Sequence, residues 1–261
     1  MEAKETVTKT CVTAQVMKHT VLAGDVWELV VAAPEIASIT KPGQFVHIRL
    51  TNTIDPLLRR PFSIADCDPA KGTLTFIYRV VGRGTALMTK LQPGDTINCM
   101  GPLGNGFDVT AKRPLLVGGG MGLAPLLLLA RAFCSRPATI LMGGRNEQEL
   151  FWPNLYATVC QNIHITSDDG SIGHHGFTVD LLPELLKQDK FDAIYACGPH
   201  VMLAGVAAIA AQYGVPCQVS LEDYMACGVG ACLSCTCEST SGKRHKVCTD
   251  GPVFRAQEVV W

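Results

Sequence analysis

The sequence predicts a multidomain α+β protein with an N-terminal antiparallel β-barrel, a parallel α/β domain and a small C-terminal segment. Three observations support this prediction. Short runs of β-branched and aromatic residues, separated by turn residues, fill residues 1–110. Predicted strands alternate with predicted helices over residues 111–220. Five of the 12 cysteines are concentrated in residues 221–261, so we place domain boundaries near residues 110 and 220.

The composition excludes several classes of protein. Of the 261 residues, 48% are hydrophobic and 17% are charged, so the chain can bury a core and is not expected to be disordered. A formal net charge of −1 gives no reason to expect nucleic acid or an anionic membrane as a partner. No secretory signal is visible at the N-terminus, and the apolar stretch 115–132 is short and broken by glycines. We therefore expect a cytoplasmic protein.

The first domain is predicted from regular short strands with turn signals between them, a pattern typical of an antiparallel barrel or sandwich. A short helix is expected at residues 85–91. The five predicted strands cover residues 7–16, 26–33, 45–50, 73–80 and 96–99.

Two polar segments of this domain suit an anionic cofactor. Arg60, Pro61, Phe62 and Ser63 form the first segment, in which the guanidinium can pair with a phosphate and the hydroxyl with a ring nitrogen. Residues 82–85 precede the predicted short helix, another arrangement that suits anions. Taken singly, each segment could equally be a surface arginine or a plain turn.

The second domain is predicted to contain a parallel sheet, because its strands and helices alternate. The strands are expected at residues 114–117, 138–142, 163–166 and 193–197. The helices are expected at residues 123–133, 179–186 and 201–213.

Glycines stand at the first strand–helix junction, where they let a backbone approach a pyrophosphate. Pro125 stands where the usual pattern has its third glycine, so a tight packing turn is the alternative. Cys197, Gly198 and Pro199 end a later strand at the sheet edge where ligands bind, although by themselves they are more simply a turn. The junction glycines are Gly118, Gly119, Gly120 and Gly122.

The C-terminal cysteines have the spacing C-x4-C-x2-C followed by one distant cysteine, which is the plant-type [2Fe–2S] pattern. Gly228 and Gly230 suit a tight loop around such a cluster. The four cysteines in this pattern are Cys227, Cys232, Cys235 and Cys248.

Zinc is the alternative metal. Structural zinc sites usually pair two short cysteine knuckles, and only one is present here, although His245 before Cys248 could imitate a second. Cys237 is surplus to the pattern and is expected to be a free thiol. The remaining cysteines are expected to be small buried hydrophobes. They are Cys11, Cys67, Cys99, Cys134, Cys160, Cys197 and Cys217.

In this order, the segments resemble the ferredoxin reductase superfamily, in which a flavin-binding barrel precedes a nicotinamide-binding α/β domain. Arg60, Phe62 and Ser63 match the family's flavin motif, except that Phe62 lacks the hydroxyl that many relatives have there. Residues 220–232, and residues 168–173 together with 176–178, are similar to the electron-transfer subunits of NAD-dependent type B dihydroorotate dehydrogenase.

This resemblance implies three cofactors: FAD, a [2Fe–2S] cluster and NAD. It also implies a partner, the FMN-containing catalytic subunit, in a heterotetramer with two copies of each chain. The implied FAD contacts are Arg60, Pro61, Phe62, Ser63, Ile77, Tyr78, Arg79, Gly84 and Thr85. The implied nucleotide contacts are Gly118, Gly119, Gly120, Gly122, Cys197, Gly198 and Pro199. The implied cluster ligands are Cys227, Cys232, Cys235 and Cys248.

The function implied by the resemblance is electron transfer between the partner's FMN and NAD⁺, through the cluster and FAD, in pyrimidine biosynthesis. The chain would place and tune the cofactors. One alternative is a subunit of a hydrogenase or a ferredoxin-linked complex with the same cofactors. Another is a zinc-stapled nucleotide-binding module without turnover. Arg145 could bind the 2′-phosphate of NADP or be a surface arginine, so residue chemistry leaves NAD and NADP open.

Overall fold

The computed structural model describes residues 9–51, 53–133, 135 and 138–261. The first domain contains seven strands and two short helices among these residues. Its elements are β1 (Thr10–Ala23), β2 (Val26–Ala32), α1 (Pro34–Ala37), β3 (Phe45–Arg49), β4 (Arg60–Ser63), β5 (Asp66–Asp68), β6 (Thr73–Arg79), α2 (Arg83–Met88) and β7 (Thr96–Leu103). All five predicted strands are present, although residues 7 and 8 of the first lie outside the described residues. The sequence missed β4 and β5, because one contains a proline and the other has only three residues.

These strands form one curled sheet in the order β4-β3-β7-β1-β2-β6-β5, with antiparallel neighbours throughout. The two edge strands are consecutive along the chain, since only Ile64 and Ala65 separate them, so the sheet must bend back on itself. Ile64 donates its N–H to the carbonyl oxygen of Gln44, just before β3, and Ala65 donates to that of Thr75 on β6, which ties this corner to the neighbours of both edge strands. The predicted antiparallel barrel is thus present as a curled sheet, and no ladder joins its two edge strands in the described ranges.

The second domain contains the predicted alternation of strands and helices. Its elements are β8 (Pro114–Gly119), α3 (Leu123–Ala132), β9 (Thr139–Gly144), α4 (Pro153–Tyr156), β10 (Asn162–Ser167), β11 (His174–His175), α5 (Thr178–Gln188), β12 (Ala193–Cys197), α6 (His200–Tyr213) and β13 (Cys217–Ser220). The C-terminal segment adds β14 (Thr236–Glu238), β15 (Arg244–Lys246) and β16 (Val253–Arg255). The second sheet has the order β11-β10-β9-β8-β12-β13-β16 and is parallel except at β16.

Helix α3 is apolar on all sides because protein surrounds it. Every residue from Leu123 to Ala130 is buried. Most of the helix packs in a core with β8 and β12 of its own sheet and with Ala65 and Ile77 of the first domain, while Leu128 belongs to the barrel core. A helix without a polar face is stable when it is enclosed in this way. The helix therefore fixes the barrel against the parallel sheet.

The C-terminal segment shares a core with the parallel sheet. Cys248 and Phe254 pack in one buried cluster with Val219 of β13 and Leu203 of α6. The side chain of Asn105 donates to the backbone oxygens of residues 249 and 250, which also ties the segment to the barrel domain. The sequence suggested a segment with almost no core of its own, and the structure supplies that core from its neighbours. The boundary near residue 220 remains a sequence prediction.

No helix in the described ranges is long and apolar enough to cross a membrane.

Candidate functional site

A cavity of roughly 440 Å³ lies against the barrel, and we call it the barrel cavity. Strands β4 and β6 and helix α2 supply its wall on the barrel side, while Met121 and Ala124 supply part of the opposite wall. All nine residues that the resemblance implied as FAD contacts line this one cavity. They are Arg60, Pro61, Phe62, Ser63, Ile77, Tyr78, Arg79, Gly84 and Thr85.

The arginine in this wall is held by its neighbours. Arg60 donates from Nη1 to the carbonyl oxygen of Leu58 at 2.6 Å. A Cβ placed on Gly84 would lie 2.8 Å from Leu50 Cδ1 and 3.2 Å from Arg60 Nε, so the glycine lets the first turn of α2 pack closely beside the guanidinium. The Thr85 hydroxyl accepts the backbone N–H groups of Val81 and Gly82 at 2.9 and 3.2 Å. The threonine thus shapes the turn, and the arginine presents a positive charge to the cavity.

A second cavity, of roughly 680 Å³, lies at the carboxyl edge of the parallel sheet, and we call it the sheet cavity. Five of the predicted nucleotide contacts line it, namely Gly119, Gly120, Gly122, Gly198 and Pro199. The other two, Gly118 and Cys197, are register partners in β8 and β12 and lie behind the lining. A Cβ on Gly122 would lie 2.3 Å from the Cys197 carbonyl oxygen, so the two turns can meet only at a glycine.

The two cavities meet at four residues that line both of them: Arg79, Met121, Leu221 and Glu222. Glu222 follows β13, a strand that the sequence analysis did not identify, and it entered that analysis only within a resemblance. Its side chain is open to the cavities but has protein on its other sides, and this burial raises the pKa of its carboxyl group. The junction of the two cavities is formed by chain segments far apart in sequence, so no local sequence pattern could reveal it.

An ion-pair network borders both cavities. Arg79 pairs with Asp25 and with Glu149, each at 3.4 Å. Arg145 donates to the same Glu149 carboxylate through Nε at 3.0 Å and also through Nη2. The hydrogen bond from Arg145 holds the pKa of Glu149 below its usual value, with Arg79 contributing. Arg145, which the sequence offered as a 2′-phosphate contact, therefore already has a carboxylate partner.

Residues 226–235, which we call the cysteine loop, contain no helix or strand. Cys227 Sγ accepts the backbone N–H groups of Val229, Ala231 and Cys232 at 3.4, 3.3 and 3.4 Å. Gly228, with φ of +69°, permits this tight turn around the sulfur. Burial raises the pKa of the Cys227 thiol, but these hydrogen bonds outweigh it and bring the pKa down to about 6. The loop thus stabilises a thiolate, the form that binds iron.

The other three predicted ligands join Cys227 in one group of thiols. The side chains of Cys227 and Cys232 share a hydrogen bond, and so do those of Cys235 and Cys248. Cys248 also interacts electrostatically with Cys227. Burial, followed by the neighbouring Cys235, raises the pKa of Cys248 to about 12. Bound metal would have to displace that proton.

The fit of this group to a metal depends on how the thiols are arranged. In the described part of the chain, no group of three or more His, Cys, Asp or Glu side chains is placed to hold one metal ion. The four thiols instead form a row of neighbouring pairs, in which Cys227 contacts Cys232 and Cys248 contacts Cys235 and interacts with Cys227. A two-iron cluster takes ligands at both of its ends, and this donor set fits it.

The remaining cysteines lie outside the spacing pattern of these four ligands. Cys237 lies on β14, packs against the core shared with the parallel sheet, and interacts with Cys235 and two carboxylates. Of the cysteines expected to be buried, Cys99, Cys160 and Cys197 are buried, Cys67 and Cys217 are half-buried, and Cys11 is exposed. Cys134 lies outside the described residues.

His47 of β3 is a functional candidate that the sequence did not indicate. Its side chain is fully buried, and neither ring nitrogen has a hydrogen-bond partner within the described residues. Burial and, to a lesser degree, the charges of Arg59 and Arg60 lower its pKa to about 4, so the ring is neutral near pH 7. A Cβ on Gly228 would lie 2.8 Å from Nδ1, which places the imidazole directly against the cysteine loop.

A curled antiparallel sheet followed by a parallel α/β domain, with adjoining cavities on the first sheet and at the edge of the second, defines a ferredoxin reductase-like oxidoreductase. Residues 13–107 match the family model of the oxidoreductase FAD-binding domain, and residues 222–260 match that of the iron–sulfur cluster binding domain of dihydroorotate dehydrogenase B. The chain belongs to the family of electron transfer subunits of dihydroorotate dehydrogenase B (NAD(+)).

Relatives of that name match almost the whole chain. The subunit from Bacillus caldolyticus is 41% identical over 254 residues, which is 94% of this chain and 96% of the relative. The subunit from Desulforamulus reducens is 37% identical over 255 residues, which is 95% of this chain and 97% of the relative. The match to an iron–sulfur domain also favours a cluster over the zinc alternative.

Solved structures support the same fold. The NADH-dependent reduced ferredoxin-NADP oxidoreductase gives a TM-score of 0.86 at 33% identity, covering 95% of this chain and 90% of that one. The ferredoxin reductase of carbazole 1,9a-dioxygenase gives a TM-score of 0.67 at 23% identity, covering 80% of this chain and 68% of that one. The second likeness shows the fold alone.

Proposed function

We propose that this chain carries electrons between the FMN of a dihydroorotate dehydrogenase catalytic subunit and NAD⁺, through a [2Fe–2S] cluster and FAD. One observation carries the proposal. The sheet cavity and the barrel cavity share four lining residues, and the barrel cavity continues to Asp223 and Met225, just before Cys227. Sites for a nucleotide, a flavin and a cluster therefore lie in series.

The barrel residues hold the flavin in this proposal. Arg60 neutralises a phosphate, and a charge-assisted hydrogen bond of this kind contributes about 1.5–3 kcal/mol. Bound FAD supplies the exchange between the two-electron chemistry of nicotinamide and the one-electron chemistry of the cluster. Met121 and Leu221 exclude water from the junction of the cavities, and Glu222 adds a carboxyl group there. The four thiols around Cys227 hold the cluster.

The nucleotide in this proposal is NAD. Glu149 neutralises Arg145, the cation that could otherwise attract a 2′-phosphate. Asp168 lines the same cavity and adds a second acidic group. A phosphate at the ribose would face both carboxylates, whereas a free 2′-hydroxyl can donate hydrogen bonds to them.

The surface around the cysteine loop fits a protein partner. Tyr224 is 89% exposed and Leu233 is 61% exposed, and Val229 and Cys232 are exposed between them. Apolar side chains around a redox site would be covered when a catalytic subunit docks there. The name of the relatives, electron transfer subunit, requires such a partner for those proteins. We propose the FMN subunit as the partner, in a cytoplasmic heterotetramer of two copies of each chain that serves pyrimidine biosynthesis.

A ferredoxin-linked complex is the second candidate. The likeness to the NADH-dependent reduced ferredoxin-NADP oxidoreductase covers the cysteine-rich segment as well as both larger domains. In such a complex the three sites would be the same and only the partner would differ. Mass spectrometry of proteins that co-purify with the chain distinguishes the two candidates: an FMN subunit supports the first and a ferredoxin-linked oxidoreductase supports the second.

Reconstitution tests the proposal. The chain alone should oxidise NADH with an artificial acceptor but should not oxidise dihydroorotate, because the proposal places the nicotinamide, flavin and cluster sites on this chain and the dihydroorotate site on the partner. Orotate should form, with reduction of NAD⁺, once an FMN-bearing subunit is added. Dihydroorotate oxidation by the chain alone would place the substrate site on it and refute the proposed division of work.

A further inference from the structure

His47 lies between the barrel cavity and the cysteine loop. Along β3 it is two residues from Phe45, which lines the barrel cavity, and the two rings meet edge to face at 5.8 Å. Across the sheet its register partner is Pro61, another residue of that cavity. The Nδ1 face of the ring packs against Gly228, the residue that follows Cys227. One imidazole thus touches the walls of both proposed cofactor sites.

The ring has hydrogen-bonding groups that the described protein does not satisfy. His47 is 0% exposed, and both ring nitrogens lack a partner in the described residues. A neutral imidazole always carries one N–H donor and one acceptor nitrogen. Leaving a buried donor unpaired is costly, so a buried polar ring usually indicates a partner. A cluster bound beside Gly228 would bring sulfur atoms that can accept a hydrogen bond from the His47 ring.

We propose that His47 donates a hydrogen bond to a sulfur atom of the [2Fe–2S] cluster at its Cys227 end and thereby raises the reduction potential of the cluster. The inference rests on the proposed function in requiring a cluster at the four cysteines. Hydrogen bonds to cluster sulfurs stabilise the reduced, more negative state and so raise the potential. Because His47 belongs to the flavin-side barrel, it would also hold the cysteine loop against the domain that receives the electron.

Two other histidines serve as controls. His245 is near Cys248 in sequence, but it has an ion-pair distance of 4.0 Å to Asp250 and a ring contact at 5.7 Å with Phe254. It is the rival donor to the cluster. His164 is on β10, at the opposite side of the parallel sheet from β16 and the cysteine-rich segment, and serves as the distant control.

The test uses the full chain with its cofactors, labelled with ¹⁵N in histidine only and reduced with dithionite. Pulsed EPR of the reduced cluster should show coupling to one histidine nitrogen. The coupling should vanish in His47→Leu and persist in His245→Leu and His164→Leu. A redox titration followed by EPR should show the cluster potential of His47→Leu shifted to lower values, with the FAD potential unshifted.

His47→Gln keeps the test decisive if the leucine variant fails to fold. Its amide N–H can replace the donor, so the cluster potential should stay near that of the natural chain while the histidine coupling is lost. A cluster signal without histidine coupling would overturn the hydrogen bond, as would coupling lost in His245→Leu instead. No cluster signal in the natural chain would remove the proposed cluster and this inference with it, which separates the two failures.

Discussion

The barrel cavity and the cysteine loop are neighbours, yet they are built in different ways. Strands β4 and β6 form the cavity wall, and their side chains belong to a core in which Phe62 packs edge to face on Tyr78 at 5.7 Å. The cysteine loop has no helix or strand, its Cys232 and Leu233 are exposed, and three backbone N–H groups point at one sulfur. Apolar packing shapes the first site, whereas contacts to sulfur shape the second.

This difference bears on what each site needs in order to form. A cavity framed by a packed core keeps its shape without a ligand. A loop organised around thiolates gains much of its order from the metal, because metal binding is coupled to folding in such sites. We therefore expect the flavin site to survive loss of the cluster, and the cluster loop to be the more easily disrupted of the two.

The largest expected effect is the loss of the cluster on changing one ligand. Cys227→Ser, Cys232→Ser, Cys235→Ser and Cys248→Ser should each abolish the cluster, because a hydroxyl binds iron far less well than a thiolate. Cys237→Ser should keep it, since Cys237 is surplus to the four-cysteine spacing of the cluster. Iron and sulfide content per chain is the measurement. Full occupancy in Cys248→Ser, combined with loss in Cys237→Ser, would reverse the ligand assignment.

The same variants test whether the two sites form independently. Cys232→Ser should retain FAD, measured as flavin released per chain, while its residues 226–235 become more accessible to limited proteolysis. In the natural protein the cluster should protect this loop. If FAD is lost together with the cluster, the barrel cavity depends on the loop and the contrast between the two sites fails.

Local sequence patterns predicted most strands and the cluster ligands, and the elements and residues that they missed have a physical explanation. Strands β8, β9 and β12 were predictable because each contains a continuous apolar run next to a turn or helix signal, and β10 because its isoleucines alternate with polar residues. Strand β16 has three residues and exists only because Val219 of β13 pairs with Phe254. The cysteine spacing indicated its chemistry because a cluster fixes the distances between its ligands. The roles of His47 and Glu222 depend on which distant segments meet, which no spacing encodes.

A smaller effect is expected at the flavin. Arg60→Ala should weaken FAD binding by roughly 10- to 150-fold, the equivalent of about 1.5–3 kcal/mol for a lost charge-assisted hydrogen bond. The cluster content should not change. Flavin retention on dilution, followed by fluorescence, measures the effect. Arg59→Ala is the matched control, because that guanidinium bonds to the backbone oxygens of His47 and Asn98 and does not line the cavity. Equal loss of FAD in both variants would mean that Arg60 stabilises the fold of the first domain and does not contact FAD directly.

The smallest expected effect is on the choice of nucleotide. Glu149→Gln removes the carboxylate that pairs with Arg145 and Arg79, so Arg145 becomes free to attract a 2′-phosphate, while Arg79 keeps its ion pair with Asp25. The ratio of kcat/KM for NADPH to that for NADH should rise several-fold, in line with about 0.2–1 kcal/mol for an exposed charge pair. Glu147→Gln is the control, since this residue is on the same turn but outside the sheet cavity. The rise should shrink as salt is added, because the Arg145 guanidinium acts through charge at an open surface. An unchanged ratio at low salt would show that Glu149 does not set the preference, and Asp168→Asn would then be the variant to compare. A rise with Glu147→Gln as well would indicate a general change in charge around the cavity rather than a contact with the ribose.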